Sequence, residues 1–152
     1  MNKKNINKIF SWILLIGWMT IIFIMSNEPA KISDEHSNLV LQIVKTLGIP
    51  IDSFFGEIAE FIVRKTAHFT EYMILFFLAY KLLRIYLDIK DTCVFGIIIV
   101  IGYACTDEIH QLFVPGRSGM IRDVLIDTSG GIFGLFIILL IKYIKKIKAR
   151  IN

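Results

Sequence analysis

Residues 9–27 form a run of 19 positions without a charged side chain. A helix rises about 1.5 Å per residue, so this run nearly matches the ~20 residues that cross a bilayer core. Lys3, Lys4 and Lys8 precede it, as in a secretory signal peptide. A cleavable signal ends in a small-x-small pattern. Ser26-Asn27-Glu28-Pro29-Ala30 matches that pattern poorly. The run therefore reads as an uncleaved first membrane helix, carrying Trp12 and Trp18 and ending near Pro29.

Composition agrees. Hydrophobic residues make up 55% of the 152 and charged ones 20%, with a mean hydropathy of +0.66. Soluble domains carry about 45–50% and about 25% respectively. The length suits one domain, taken as residues 1–152. No basic run is interleaved with aromatics in a polar setting, so nucleic acid is not an expected partner. Cys93 and Cys105 lie in one apolar run. Twelve helical residues would separate them by about 18 Å, and a disulfide needs about 7 Å or less. They read as buried small hydrophobes.

Periodicity predicts three further membrane helices, giving spans at about 9–26, 66–87, 93–112 and 122–143. Between the first two lies an extracytoplasmic segment. Ser33 is read as the cap of an amphipathic helix with Leu39, Val40, Ile43, Val44 and Leu47 on one stripe, stopped by Gly48 and Pro50. Asp52 or Ser53 would cap the next helix, Asp88–Thr92 form a polar turn, and Pro115-Gly116 a second turn with Gly at positive φ. The expected fold is an all-α, integral membrane four-helix bundle with short extracytoplasmic amphipathic helices between helices one and two.

The last three apolar runs are short. Glu71 and Lys81 bracket nine uncharged residues, Asp91 and Asp107 fifteen, and Asp127 and Lys142 fourteen. Charge topology accounts for the shortfall. A four-span chain puts eleven of the seventeen basic residues and only Asp88 and Asp91 on one side, a net of +9. The basic side is cytoplasmic by the positive-inside rule, so both termini are expected there, in a bacterial cytoplasmic membrane. Arg64, His68, Glu71, Tyr72, Asp107, Glu108, His110, Gln111, Arg117, Asp123 and Asp127 then gather in the outer leaflet. Acids at that depth face a bundle interior or a water-filled cavity, and one outward-facing polar pocket is the simplest geometry. Gly130 and Gly134 form a small-xxx-small face just beneath it.

The motifs Arg64-Lys65-x-x-His68-Phe69-x-Glu71-Tyr72 and Asp107-Glu108-x-His110-Gln111-x-Phe113-x-Pro115-Gly116-Arg117, followed by Asp123-Val124 and Gly130, resemble the VanZ-like membrane protein family over roughly residues 64–134. The resemblance implies an integral membrane protein of a family whose best-known member lowers susceptibility to the glycopeptide teicoplanin. It also implies Asn at the position of Asp127, where this chain has an additional acid.

Four chemistries suit these residues. In the first, the eleven outer residues bind a ligand: Arg64 and Arg117 hold a phosphate or carboxylate through bidentate hydrogen bonds, and the acids and Gln111 hold hydroxyls or an ammonium. The partners would be membrane lipids, a lipid-linked cell-wall intermediate or a lipoglycopeptide. The bland counterpart pairs the charges internally, Arg117 with Asp123 or Asp107 and Arg64 with Glu60. In the second, His68 or His110 is a general base oriented by Glu71 or Asp107, acting on a lipid phosphate. In the third, His68-x-x-Glu71 and Asp107-x-x-His110 each offer two ligands on a helix face, an incomplete set to which no metal or cofactor is assigned. In the fourth, the chain is a structural membrane partner subunit.

Overall fold

The computed structural model describes residues 2–49 and 55–151. These residues form five α-helices and no strand: α1 (Lys3–Ser26), α2 (Ala30–Thr46), α3 (Ala59–Leu83), α4 (Ile89–Gln111) and α5 (Ile121–Ile151), with a single 3-10 turn at Gly56–Ile58 before α3. Three segments are long and apolar enough to cross a membrane: Asn5–Ser26, Ile89–Gln111 and Ile121–Arg150. Only 22%, 33% and 22% of their most apolar windows is buried within the protein. Ile13, Ile16, Ile24, Phe95, Ile98 and Phe136 all point outward. Such a surface is stable in hydrocarbon and costly in water.

The predicted second span differs from the other three. Its helix begins at Ala59 and runs unbroken through Arg64-Lys65 to Leu83. With Glu60, Arg64, Lys65, Glu71 and Lys81 along it, α3 does not reach the apolarity of the others. The cause is its position. α3 packs against α1, α2, α4 and α5, so its side chains meet protein on most sides. Tyr72, Leu75, Phe76 and Ala79 recur at helical spacing on its buried face and meet Leu15, Ile22, Val100 and Ala104.

Local chemistry moves several predicted boundaries. α2 starts at Ala30 behind Pro29, whose backbone (φ −53, ψ 148) precedes the first turn without a side-chain cap. Ser33 is thus inside the helix, its N–H donating to the Pro29 carbonyl at 3.2 Å. Gly48 stops α2 with φ +88. The Asp52 and Ser53 caps and Pro50 lie outside the described residues. Asp88 is an N-cap rather than the start of a turn: its Oδ1 accepts from the Asp91 N–H at 2.9 Å, so α4 starts at Ile89. Gly116 has φ +76, as the turn requires.

Of the predicted stripe, Leu39, Val40 and Ile43 on α2 and Leu47 just past its end are exposed, Val44 is half-buried, and the buried residue of this helix is Ser37. Lys31, Glu35, Asn38, Gln42 and Lys45 are exposed as well, so α2 rests on the protein through a narrow face around Ser37 and leaves both apolar and polar side chains outside.

Helix ends meet in two groups. At one end Gln111 of α4 bonds Ser26 of α1, and Lys65 of α3 bonds Asp123 of α5. At the other, Trp12 donates to Tyr86 at 3.1 Å, while Lys8, Lys81 and Lys142 lie over the rings of Tyr86, Phe10 and Tyr80. α1 and α4 therefore run one way, α3 and α5 the other.

Candidate functional site

The polar residues collect where the C-terminal ends of α1 and α4 meet the N-terminal ends of α3 and α5. The loop between α4 and α5 folds back over this end. Ala30 N–H donates to the Pro115 carbonyl at 3.3 Å, and Arg117 Nε donates to the Glu28 carbonyl at 3.1 Å. Met120 N–H donates to Glu108 Oε2 at 2.9 Å, fixing the start of α5. The loop thereby carries Arg117 to the junction of α1 and α2.

A cavity of about 140 Å³ opens there, lined by Arg64, His68, Glu71 and Arg117 together with Ser26, Glu28, Ser33, His36, Ser37 and four apolar or small side chains, among them Val40, Val63 and Ala67. An apolar groove of about 490 Å³ adjoins it, lined by Trp18, Val40, Val44, Ile62, Val63, Thr66, Ala67, Thr70, Glu71 and Ile74. Val40, Val63, Ala67 and Glu71 border both. Trp18 Nε1 donates to the Glu71 carbonyl at 2.9 Å, bracing the α1–α3 wall of the groove.

Of the eleven predicted residues, four line the polar cavity: Arg64, His68, Glu71 and Arg117. Four others form a buried layer behind it. Asp127 and Tyr72 are wholly buried, and Asp107 and Gln111 nearly so. Gln111 Nε2 bridges Ser26 Oγ at 3.1 Å and Asp107 Oδ2 at 3.3 Å. The remaining three lie elsewhere. Glu108 anchors the loop, and Asp123 pairs with Lys65 at 2.7 Å. His110 Nε2 sits 3.1 Å from Asn27 Oδ1, and its ring lies 4.6 Å from that of Phe23.

The internal pairs expected from sequence are replaced by others. Arg64 pairs with Asp34 of α2, not with Glu60. Arg117 has no carboxylate partner among the described residues; Asp123 is taken by Lys65. His68 Nδ1 faces Asp127 Oδ1 at 3.6 Å rather than Glu71. The sequence reading also missed the α2 wall. Its signal was present: Ser33, His36, Ser37 and Val40 follow i, i+3, i+4, i+7, one helix face.

The VanZ/LLP1 family profile matches residues 10–142. The chain belongs to the VanZ/LLP1 family. The match takes in every residue of the cavity and of the layer behind it. Together with three helices fit to cross a bilayer, membership identifies a membrane protein. No curated protein and no solved structure matches the chain.

In this VanZ/LLP1 chain the Lys65–Asp123 pair ties α3 to α5, with side chains 16% and 13% exposed. Among the described residues, removing Lys65 leaves Asp123 only the more exposed Arg122 as an ion-pair partner, at 3.7 Å. Lys65→Met is expected to lower stability by about 2 kcal/mol, the range for a charge-assisted bond with limited solvent access. The double variant Lys65→Met/Asp123→Leu should recover part of that loss. Thermal unfolding in detergent measures both, and additive losses would show that the two residues do not interact.

Proposed function

We propose that the chain binds the anionic headgroup of an envelope lipid or lipid-linked cell-wall intermediate, and through this lowers susceptibility to teicoplanin. One observation carries the reading: a polar cavity with two arginines shares a wall with an apolar groove. That pairing suits an amphiphile, with phosphate or carboxylate on Arg64 and Arg117 and hydrocarbon along Trp18, Val44 and Ile74. Pockets for drug-sized molecules run to about 300–1,000 Å³. A polar cavity of about 140 Å³ is sized for a headgroup, not for a whole lipoglycopeptide.

In this reading α3 is a fourth span and completes a four-helix bundle in the bacterial cytoplasmic membrane. Lys8, Lys81 and Lys142 mark the cytoplasmic end, and the cavity opens outward. A second reading, acid–base chemistry on the bound phosphate, is favoured by His68, which borders the cavity and faces Asp127.

The test compares teicoplanin susceptibility of cells carrying Arg64→Ala, Glu71→Ala or Arg117→Ala at matched membrane levels. All three are expected to lose protection. Full protection from all three would overturn the pocket reading. Incubating purified protein with lipid-linked phosphates separates the two chemistries: unchanged substrate mass is expected for a binder, and loss of a phosphoryl group for an enzyme.

A further inference from the structure

The layer behind the cavity holds more buried acceptors than its neighbours satisfy. Asp127 has a side chain 1% exposed, and neither of its carboxylate oxygens has a hydrogen-bond partner. His68 Nδ1, which faces it, is likewise buried without a partner. The wholly buried Tyr72 hydroxyl comes near Asp107 without the geometry of a hydrogen bond. The closest basic residues on α3 are committed elsewhere, Lys65 to Asp123 and Arg64 to Asp34. A carboxylate this deep with no donor costs several kcal/mol unless a cation or a proton meets it.

Donor atoms from three helices converge at this point. One ring nitrogen of His68 on α3, one oxygen of Asp107 on α4 and one oxygen of Asp127 on α5 all lie within 4.8 Å of one another. Ligand atoms about 2.0–2.2 Å from a shared metal stand roughly 3–4 Å apart, so small side-chain rotations close the set. Gln111 holds Asp107 Oδ2 from behind, the kind of outer bond that orients a metal-ligating carboxylate.

We propose that His68, Asp107 and Asp127 bind a divalent transition cation of the zinc or manganese class. An imidazole nitrogen with two carboxylates suits these ions. It suits copper(I), which prefers sulfur, and calcium, which prefers all-oxygen shells, less well. The set does not follow the sequence pairs. His68-x-x-Glu71 and Asp107-x-x-His110 each contribute one member, and the third comes from α5. The inference stands on the buried donors and is independent of the lipid reading. A bound cation would staple α3, α4 and α5 together directly behind Arg64 and Arg117.

The test uses the full chain purified in detergent, stripped with chelator and reloaded separately with zinc and with manganese. Metal content by mass spectrometry should approach one equivalent for one of the two, and that metal should raise the Tm. Asp127→Asn and His68→Gln are expected to lose both the bound metal and the metal-dependent rise. Asp107→Asn is the further variant where either fails to accumulate. The inference is overturned if neither metal binds or shifts the Tm. It is equally overturned if metal binds and the substitutions leave its content unchanged, which places it elsewhere. A metal-independent rise in Tm for Asp127→Asn, with no metal on the parent protein, would identify a protonated carboxyl instead.

Discussion

Gly130→Ala is expected to abolish accumulation of folded protein in the membrane. A Cβ at Gly130 would sit 2.1 Å from the Phe69 carbonyl oxygen, 2.9 Å from its carbon and 3.2 Å from its Cα. All three atoms are backbone of α3, so no side-chain rotation relieves the clash. Overpacking in a core costs typically about 1–3 kcal/mol and more when the backbone must move; this substitution belongs at or above the top of that range. Gly134→Ala meets mainly the Phe76 ring, at 3.0 Å, and should cost less. Gly17→Ala meets nothing within 4 Å and should be silent. Membrane levels and Tm in detergent should fall in that order. Equal behaviour of Gly130→Ala and Gly17→Ala would mean that α5 does not cross α3 at this point.

Arg117→Ala should weaken binding of anionic lipid on the order of 30-fold, the equivalent of about 2 kcal/mol for a charge-assisted contact to a phosphate. The proposed role falls to Arg117 because its Nε is anchored on the Glu28 carbonyl and it has no ion-pair partner among the described residues. Arg64 is already paired with Asp34, so Arg64→Ala should cost less in affinity and more in the seating of α2. Arg117→Lys keeps the charge but loses the planar fork, and an intermediate affinity is expected. Titration with vesicles of phosphatidylglycerol against phosphatidylcholine reads all three. An Arg117→Ala protein that keeps the parent's preference for the anionic vesicle would remove the headgroup assignment.

The membrane character was legible at once, because the 19 uncharged residues at 9–27 admit few alternatives. The close crossing at Gly130 was legible too, since small residues four apart have one common use in membrane helices. The start of α3 was not. Periodicity starts the span at about residue 66, which leaves Arg64 and Lys65 at its edge on a scale built for lipid-facing residues, whereas Arg64 meets Asp34 of α2 and Lys65 meets Asp123 of α5. Pairings were less legible still. Lys65 finds Asp123 across 58 positions, and Arg64 turns back to Asp34 on α2. Helix-face spacing narrows which residues share a surface but does not choose among acids on neighbouring helices. The stripe on α2 shows a further limit. Periodicity placed Leu39, Val40, Ile43 and Val44 on one stripe, but it did not say that most of the stripe stays exposed while Val40 and Val44 border the cavity and groove.

The partner of Lys65 is also a matter of timing. Synthesis runs from the N-terminus, so α3 emerges with Arg64, Lys65, His68 and Glu71 well before Asp123 of α5 exists. On its own it is a poor candidate for partitioning into lipid, since each unmet charge at depth is penalised. If α3 is the fourth span proposed above, its entry would be coupled to the arrival of the last helix, and a ribosome that stops short of α5 would leave a chain whose central helix has no favourable place to go.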